Sequence, residues 1–257
     1  GPAPAAGRGT TDAPADAAQG PDLAFARLNR RHAGEPALLR LPADATLDLA
    51  VPNAGRLHLR LTTRYPWDGH IAIDVLDAPD APVALHLRIP SWAQGAWVDA
   101  PHARGVAADA GTYARVGATW RAGNRVDLHL PMAPRLVVSH PQVATNAGHV
   151  AVTRGPIVYC LEAVDHPGID VSAIAIDVHG PWEAHVAAGL PADLVALRGH
   201  GQVGADNVVG SGAPLYRAFH DHAPHAGTTV VTAVPYFAWA NRTAGAMATW
   251  MPIATVR

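Results

Sequence analysis

The stretch Arg56–Thr62 reads RLHLRLT, and its three leucines alternate strictly with polar residues. A repeat of two places successive side chains on opposite faces of a β-strand. The leucines therefore face a core, while the arginines and the histidine face water. This pattern predicts one strand of a sheet that is buried on one face.

Runs with the same alternation lie on both sides of this stretch. Their apolar positions are Leu47/Leu49/Val51, Ile71/Ile73/Val75, Val83/Leu85/Leu87/Ile89 and Val126/Leu128/Leu130. Turn-forming residues separate the runs at Pro52–Gly55, Asp77–Asp80 and Ala122–Asn124. Short strands, frequent turns and no long helix predict an all-β fold of two consecutive antiparallel β-sandwich domains, jelly-roll-like in outline.

The second half of the chain carries a second set of predicted strands. They are His149–Thr153, Ile157–Leu161, Ala173–Val178, Thr229–Val234 and Ala246–Met251, with a helical turn over Pro191–Leu197 and a glycine-rich loop over Gly199–Pro214. Residues 1–22 hold no large apolar side chain and predict a flexible linker or tail. A short helix follows at Leu23–His32. The predicted division is a tail over 1–22, a first sandwich with this helix over 23–144, and a second sandwich over 145–257.

Composition excludes several classes of function. The 257 residues are 49% hydrophobic and 16% charged, with a net charge of −2. A chain of this kind is globular and has no electrostatic attraction for nucleic acid or an anionic membrane. No apolar run predicts a transmembrane helix and no signal-peptide pattern is visible, which favours a cytoplasmic location.

Cys160 is the single cysteine of the chain and lies in the apolar run Ile157–Leu161. A reactive thiolate needs a metal, a cation or a helix N-terminus beside it, whereas a strand cysteine is usually a small buried hydrophobe. A zinc site of several thiolates needs more than one cysteine. We therefore assign no catalytic residue, no metal ligand and no cofactor to this chain. The segment His220–His225 (HDHAPH) is an alternative metal site, but its proline favours a solvated loop.

Carboxylates and tryptophans are the remaining candidates. Glycosidases commonly use two carboxylates about 5–10 Å apart; Asp68 and Glu162 are such a pair only if the two domains bring them together, and Asp68 in YPWDG more often fixes a turn. Of the seven tryptophans, most are expected in the core or an interface. Trp67, Trp92 and Trp97 are expected to be more exposed. Trp67, Asp68 and Trp92 are the substrate-binding candidates.

Several strings resemble a known family when they are taken in order. They are TTRYPWDG (62–69), LRIPSW (87–92), LPMAPR (130–135), RGPIVYCLE (154–162), YFAWANR (236–242) and WMP (250–252). Their order and spacing resemble the C-terminal half of glycoside hydrolase family 127, whose founding activity is β-L-arabinofuranosidase. The resemblance implies that the catalytic groups of such a protein lie in an upstream helical barrel. This barrel carries a nucleophilic cysteine and a zinc ion that is held by cysteines and a glutamate. No residue of this chain matches those positions.

The resemblance implies a non-catalytic β-sandwich region that supports such a barrel, in cis or in trans. Its expected partners are the barrel, a second copy of the chain through an exposed apolar face, and an arabinose-containing glycan; neither nucleic acid nor a membrane is expected. The alternative is a free-standing carbohydrate-binding module that uses exposed tryptophans. A third hypothesis is an enzyme with its own chemistry at Asp68 or at His220–His225.

Overall fold

The computed structural model describes residues 37–39, 43–51, 54–186, 189–191, 194–204 and 227–254. Within these ranges the fold is all-β, with eighteen strands, four short 3-10 turns and no α-helix. The strands are β1 (Ala37–Leu39), β2 (Ala45–Val51), β3 (Gly55–Thr63), β4 (His70–Asp77), β5 (Pro82–Arg88), β6 (Ala96–Ala100), β7 (Ala103–Ala108), β8 (Tyr113–Thr119), β9 (Arg125–His129), β10 (Pro134–Val137), β11 (His149–Arg154), β12 (Ile157–Glu162), β13 (Ala175–Ile176), β14 (Glu183–His185), β15 (Ala196–Val203), β16 (Gly227–Pro235), β17 (Met247–Ala248) and β18 (Met251–Pro252). The 3-10 turns are Ala144–Asn146, Ala163–Asp165, Val171–Ala173 and Tyr236–Ala238. None of the described helices is long and apolar enough to cross a membrane.

The first sandwich pairs a six-stranded sheet with a three-stranded one. The larger sheet has the order β2-β3-β4-β9-β6-β7, and the smaller has the order β1-β5-β8. All pairs are antiparallel except β1 with β5. Both sheets contribute to one hydrophobic core, in which Leu57, Leu59 and Leu85 are fully buried. Trp120 closes this core and donates its indole N–H to the carbonyl of Val83 at 2.9 Å.

The alternation in the sequence locates most strands of this domain. The expected strands around Leu47, Leu57, Ile71, Val83 and Val126 are confirmed as β2, β3, β4, β5 and β9. The sequence did not predict β6, β7 or β8. Strand β7 is almost wholly exposed, and β8 turns only Ala114, Val116 and Ala118 toward the core, so both lack the large apolar side chains that make alternation visible.

The second sheet has the order β10-β11-β12-β16-β15-β13, and β14, β17 and β18 add to β15, β12 and β11. It covers a separate core that includes Val152, Tyr159, Leu161, Ile174 and Leu197. The chain enters this sheet at β10, whose Pro134 pairs with Arg154 of β11. The change of sheet therefore falls between β9 and β10, whereas the sequence analysis divided the two domains between residues 144 and 145.

One stretch of the second domain differs from the sequence prediction. Residues 196–203 form β15, where the end of a helical turn and the start of a glycine-rich loop were expected. Before this strand, the backbone N–H of Leu194 donates to the carbonyl of Pro191 at 3.0 Å. Gly199 in this strand allows close packing, since a methyl group at this position would lie 2.7 Å from the indole of Trp182. The expected strand Ala173–Val178 is reduced to β13 behind a 3-10 turn. The tail, the short helix and His220–His225 lie outside the described residues.

Candidate functional site: an aromatic loop beside the domain junction

Three large aromatic side chains are exposed in the loop that follows β16. Tyr236, Phe237 and Trp239 are 48%, 57% and 41% exposed. The rings of Tyr236 and Trp239 stack at 6.3 Å with an interplanar angle of 23°. We call residues 236–242 the aromatic loop. Trp239 was expected in the core or in a packed interface, and in this chain it is exposed. Apolar side chains concentrated in this way are typical of a binding surface.

A buried ion-pair network holds the aromatic loop to the domain. The guanidinium of Arg242 donates to Asp165, with Nη1–Oδ1 at 2.8 Å and Nη2–Oδ2 at 2.5 Å, and Nη2 also donates to the carboxylate of Glu162. Glu162 is 2% exposed, and its Oε1 accepts the backbone N–H of Ala240 at 2.9 Å. That bond fixes Ala240 in a left-handed conformation with a φ of 61°. The hydrogen bonds that Arg242 donates to Asp165 and Glu162 raise the pKa of its guanidinium, so its charge is permanent.

The aromatic loop also touches the first domain. The rings of Phe237 and Trp67 lie 5.6 Å apart, and Trp67 packs against the core of the second domain. The carbonyl of Trp67 accepts a hydrogen bond from Nη1 of Arg154 at 2.8 Å. The YPWDG segment of the first domain is therefore seated on the second domain.

The second predicted tryptophan lies on the same junction. Trp92 is half-buried, packs against the first core and stacks with Tyr65 at 6.4 Å. A methyl group on Gly155, in the turn between β11 and β12, would lie 3.5 Å from the Trp92 ring. Trp67 and Trp92 thus share a domain junction, and their role in binding a sugar stays a prediction.

Asp68 serves the turn that presents Trp67. Its Oδ1 accepts the backbone N–H of His70 at 3.1 Å, which is the backbone-bonded arrangement that the sequence favoured. The next residue, Gly69, allows two strands to meet: its carbonyl accepts the N–H of Leu130 at 2.8 Å, and a methyl group on Gly69 would lie 1.8 Å from the Leu130 carbonyl oxygen. Both residues of this motif have a structural use.

Comparison with known proteins agrees with this architecture. The family model described as the GH127 middle domain of β-L-arabinofuranosidase matches residues 41–132, and the model of the glycoside hydrolase family 127 C-terminal domain matches residues 134–252. The chain belongs to glycoside hydrolase family 127. The two models meet where the chain passes from one sheet to the other.

Individual family-127 relatives show the same match. The non-reducing end β-L-arabinofuranosidase of Bifidobacterium longum subsp. longum is 34% identical over 210 residues, which cover 76% of this chain and 30% of the relative. A GH127 β-L-arabinofuranosidase from Geobacillus stearothermophilus T6 superposes with a TM-score of 0.72 at 29% identity, over 86% of this chain and 34% of that one. A further solved glycoside hydrolase gives 0.68 at 30% identity, over 82% and 34%. The chain spans about a third of the length of these relatives.

The thiol of this family-127 chain is buried. Cys160 is 0% exposed on β12 and packs against Ala196 and Val234. Burial raises the pKa of Cys160 to about 12, and the negative charge of Glu162 acts in the same direction. The thiol is therefore protonated at neutral pH, which is the opposite of what a nucleophile or a zinc ligand requires.

The other chemical candidates have structural partners. Glu162 is occupied by Arg242 and Ala240, and His166 lies beside it, 3% exposed, with Nδ1 2.8 Å from the Glu162 carbonyl. The backbone N–H of Thr232 donates to Nε2 of His166 at 3.1 Å, so the proton of the neutral ring is on Nδ1. Among the residues that the structure describes, no three His, Cys, Asp or Glu side chains are placed to hold a metal.

Sequence reasoning missed the Arg242–Asp165–Glu162 network. Glu162 was considered only as a carboxylate partner of Asp68, Arg242 appeared only within the string YFAWANR, and Asp165 was not considered. The partners are 77 and 80 residues apart in sequence, so no local pattern reveals the contact. The one available signal was an acidic residue that ends an otherwise apolar strand, because a buried charge needs a partner.

Proposed function

We propose that this chain is the non-catalytic β-sandwich region of a β-L-arabinofuranosidase-like glycoside hydrolase. Its function is to support a helical catalytic barrel that is supplied in cis or in trans. Two findings support this proposal: the matches are to the middle and C-terminal domains of the family, and the chain spans about a third of its relatives. The buried, protonated Cys160 offers no nucleophile of its own.

The aromatic loop is the observation that carries the proposal. Burying exposed apolar area stabilises a complex by about 25 cal/mol per Å², and Tyr236, Phe237 and Trp239 present such area together. Hydrogen bonds from Ala240 and Arg242 to Glu162 hold the loop in place. A loop that is already ordered loses little conformational entropy when a partner covers it. We assign the barrel as that partner because it makes up the remainder of a family-127 enzyme.

A reconstitution experiment tests the support function. A family-127 barrel, produced as a separate polypeptide from a full-length relative, is mixed with this chain, and the melting temperature and the turnover of an aryl β-L-arabinofuranoside are measured. We expect the chain alone to be inactive, and we expect it to raise the melting temperature of the barrel. The double variant Tyr236→Ser/Trp239→Ser loses this effect. The control Val230→Ser, which alters an apolar side chain of similar exposure on the same domain, retains it.

Two results contradict the proposal. One is turnover by the purified chain alone, which makes it an enzyme. The other is an equal effect of the double variant and the control on the barrel, which leaves the aromatic loop without a role in docking. Sedimentation velocity of the isolated chain gives an independent readout. We expect concentration-dependent self-association of the wild type, because the exposed aromatic loop offers an apolar surface for a second copy. The double variant should lose this self-association.

A further inference from the structure

The outer face of the six-stranded sheet carries a row of stacked rings far from the aromatic loop in sequence. His70 on β4 is the register partner of His129 on β9, and His129 is in turn the partner of Trp97 on β6. The two imidazoles stack at 4.9 Å, and the imidazole of His129 stacks on the Trp97 indole at 4.7 Å with an angle of 10°. Trp97 is 39% exposed. We call these three residues the ring row.

The indole of Trp97 is covered on one side only. His129 lies parallel to one face of the ring. On the other side the neighbouring strand β7 places Ala107 in register with Trp97, and Ala107 is itself exposed. A methyl group in that position leaves the second indole face open to a flat ligand.

The next cross-strand row supplies acidic acceptors. Asp99 on β6 is the register partner of Asp127 on β9. Oδ1 of Asp127 lies 2.7 Å from Nε2 of His70, and Oδ1 of Asp99 accepts the backbone N–H of Gly105 at 2.7 Å. Oδ2 of Asp99 lies 3.5 Å from Nε2 of His129. Nε of Arg125 also donates to Asp127, at 3.0 Å to Oδ1 and at 3.1 Å to Oδ2. These bonds orient both carboxylates beside the ring row, and Asp99 keeps more lone pairs for further donors than Asp127, since each oxygen has two.

We propose that this face binds a neutral carbohydrate, with one sugar ring stacked on the open face of Trp97 and its hydroxyl groups donating to Asp99 and Asp127. The C–H groups of a sugar ring carry partial positive charge and match the negative face of the indole. Hydroxyl groups are the donors that carboxylates accept, and a ligand site needs few such polar groups around an aromatic surface. The carboxylates of Asp74, Asp99 and Asp127 outnumber the guanidinium of Arg125 beside them, and this excess negative charge disfavours acidic glycans and the phosphates of nucleic acids. This site shares no residue with the aromatic loop and goes beyond the support function.

Affinity electrophoresis of the full chain tests this site. The gels contain debranched arabinan, arabinogalactan or xylan as neutral probes and polygalacturonate as the acidic one; methyl β-L-arabinofuranoside is titrated by calorimetry. We expect retardation by at least one neutral polysaccharide and not by polygalacturonate. Competition of the monosaccharide with the polysaccharide then separates recognition of a chain end from recognition of the backbone.

Variants assign the binding to the ring row. Trp97→Ala is expected to weaken binding about tenfold or more, as for other central aromatic contacts, and Asp99→Asn to weaken it less. The double variant Tyr236→Ser/Trp239→Ser is the matched control and keeps wild-type retardation. Melting curves identify any variant that fails to fold, and Trp97→Phe, which keeps a flat ring, retains part of the binding.

Two outcomes overturn the inference. One is no retardation of the wild type by any neutral probe. The other is retardation that Trp97→Ala leaves unchanged. If Trp97→Ala instead weakens the barrel complex while glycan binding is absent, the face belongs to the barrel. Failure here leaves the support function intact, because that function is tested at Tyr236 and Trp239.

Discussion

Arg242 and Asp165 form a two-pronged ion pair across 77 residues of sequence, with Nη1–Oδ1 at 2.8 Å and Nη2–Oδ2 at 2.5 Å. The pair ties the aromatic loop to the 3-10 turn Ala163–Asp165, which follows β12. Glu162 joins it from the end of β12. One arginine therefore pairs with two carboxylates that are shielded from solvent, and the geometry of the loop depends on it.

Arg242→Met removes this cation and leaves Glu162 and Asp165 without their shared partner. We expect the free energy of unfolding to fall by about 3–5 kcal/mol, as for other buried pairs that lose one member. Urea unfolding followed by circular dichroism measures the change. Arg56→Met is the control, because its pair with Asp48 lies on the surface and its loss should leave the midpoint unchanged. Equal losses in both variants would show that Arg242 is not buried in this way.

Cys160 should be inert toward thiol reagents in the folded protein. It is fully buried, and its pKa of about 12 keeps the thiolate scarce. Ellman's reagent at pH 8 should label it only as fast as the protein opens, and at once in denaturant. Rapid labelling of the native chain would show that the thiol of Cys160 is accessible, against this prediction.

The same thiol makes stability fall at high pH. The pKa of Cys160 is raised from 9.0 to about 12 on folding because of burial, so the folded state holds the proton more tightly than the unfolded state. The contribution of the protonated thiol to the free energy of unfolding is complete below pH 9 and is lost as the pH rises from 9 toward 12. Cys160→Ala should flatten the decline without abolishing it, because burial also raises the pKa of Tyr159 to about 12. A decline of the same steepness in the variant counts against this assignment.

Asp127 should contribute stability that acid removes. Partial burial acts to raise its pKa, but hydrogen bonds from His70 and Arg125 outweigh it, and the pKa lies below the ordinary 3.8. The stabilisation is therefore complete above pH 3.8 and is lost as the pH falls through the lower, folded-state value. The gap in unfolding free energy between the wild type and Asp127→Asn should narrow on acidification. A gap that is constant from neutral pH into this acid range would be inconsistent with this ion pair.

Gly69→Ala should disrupt the contact between the YPWDG segment and the end of β9. The added methyl group would sit 1.8 Å from the Leu130 carbonyl oxygen, which is backbone and cannot move aside as a side chain can. We expect a loss of about 2 kcal/mol or more in unfolding free energy. The control Gly227→Ala adds the same group in open space at the start of β16 and should be near neutral. Normal stability of Gly69→Ala would mean that the two segments are not held this closely.

The sequence predicted the parts of the fold that large apolar side chains mark. The runs around Leu57, Ile71 and Val83 became strands because a strand buries every second residue, and this is visible in a few consecutive letters. Strand β15 was missed because Gly199 and Gly201 resemble a loop until Trp182 is seen to pack against the first of them. The need for a glycine in a strand becomes clear only when the side chain that packs against it is known.

The sequence by itself determined the all-β class, the family and the lack of sulfur for a thiolate-rich centre, because each depends on residue types and their order along the chain. The greater exposure expected of Trp97 is also confirmed. Tertiary structure alone decided which aromatic residues pack at the domain junction and which charges share a partner. It placed Trp67 on the domain junction, left Trp239 exposed, and brought Arg242 to Glu162 and Asp165. Burial and ion pairing are set by what lies nearby in space, and residues about 80 positions apart meet only once both sheets have formed.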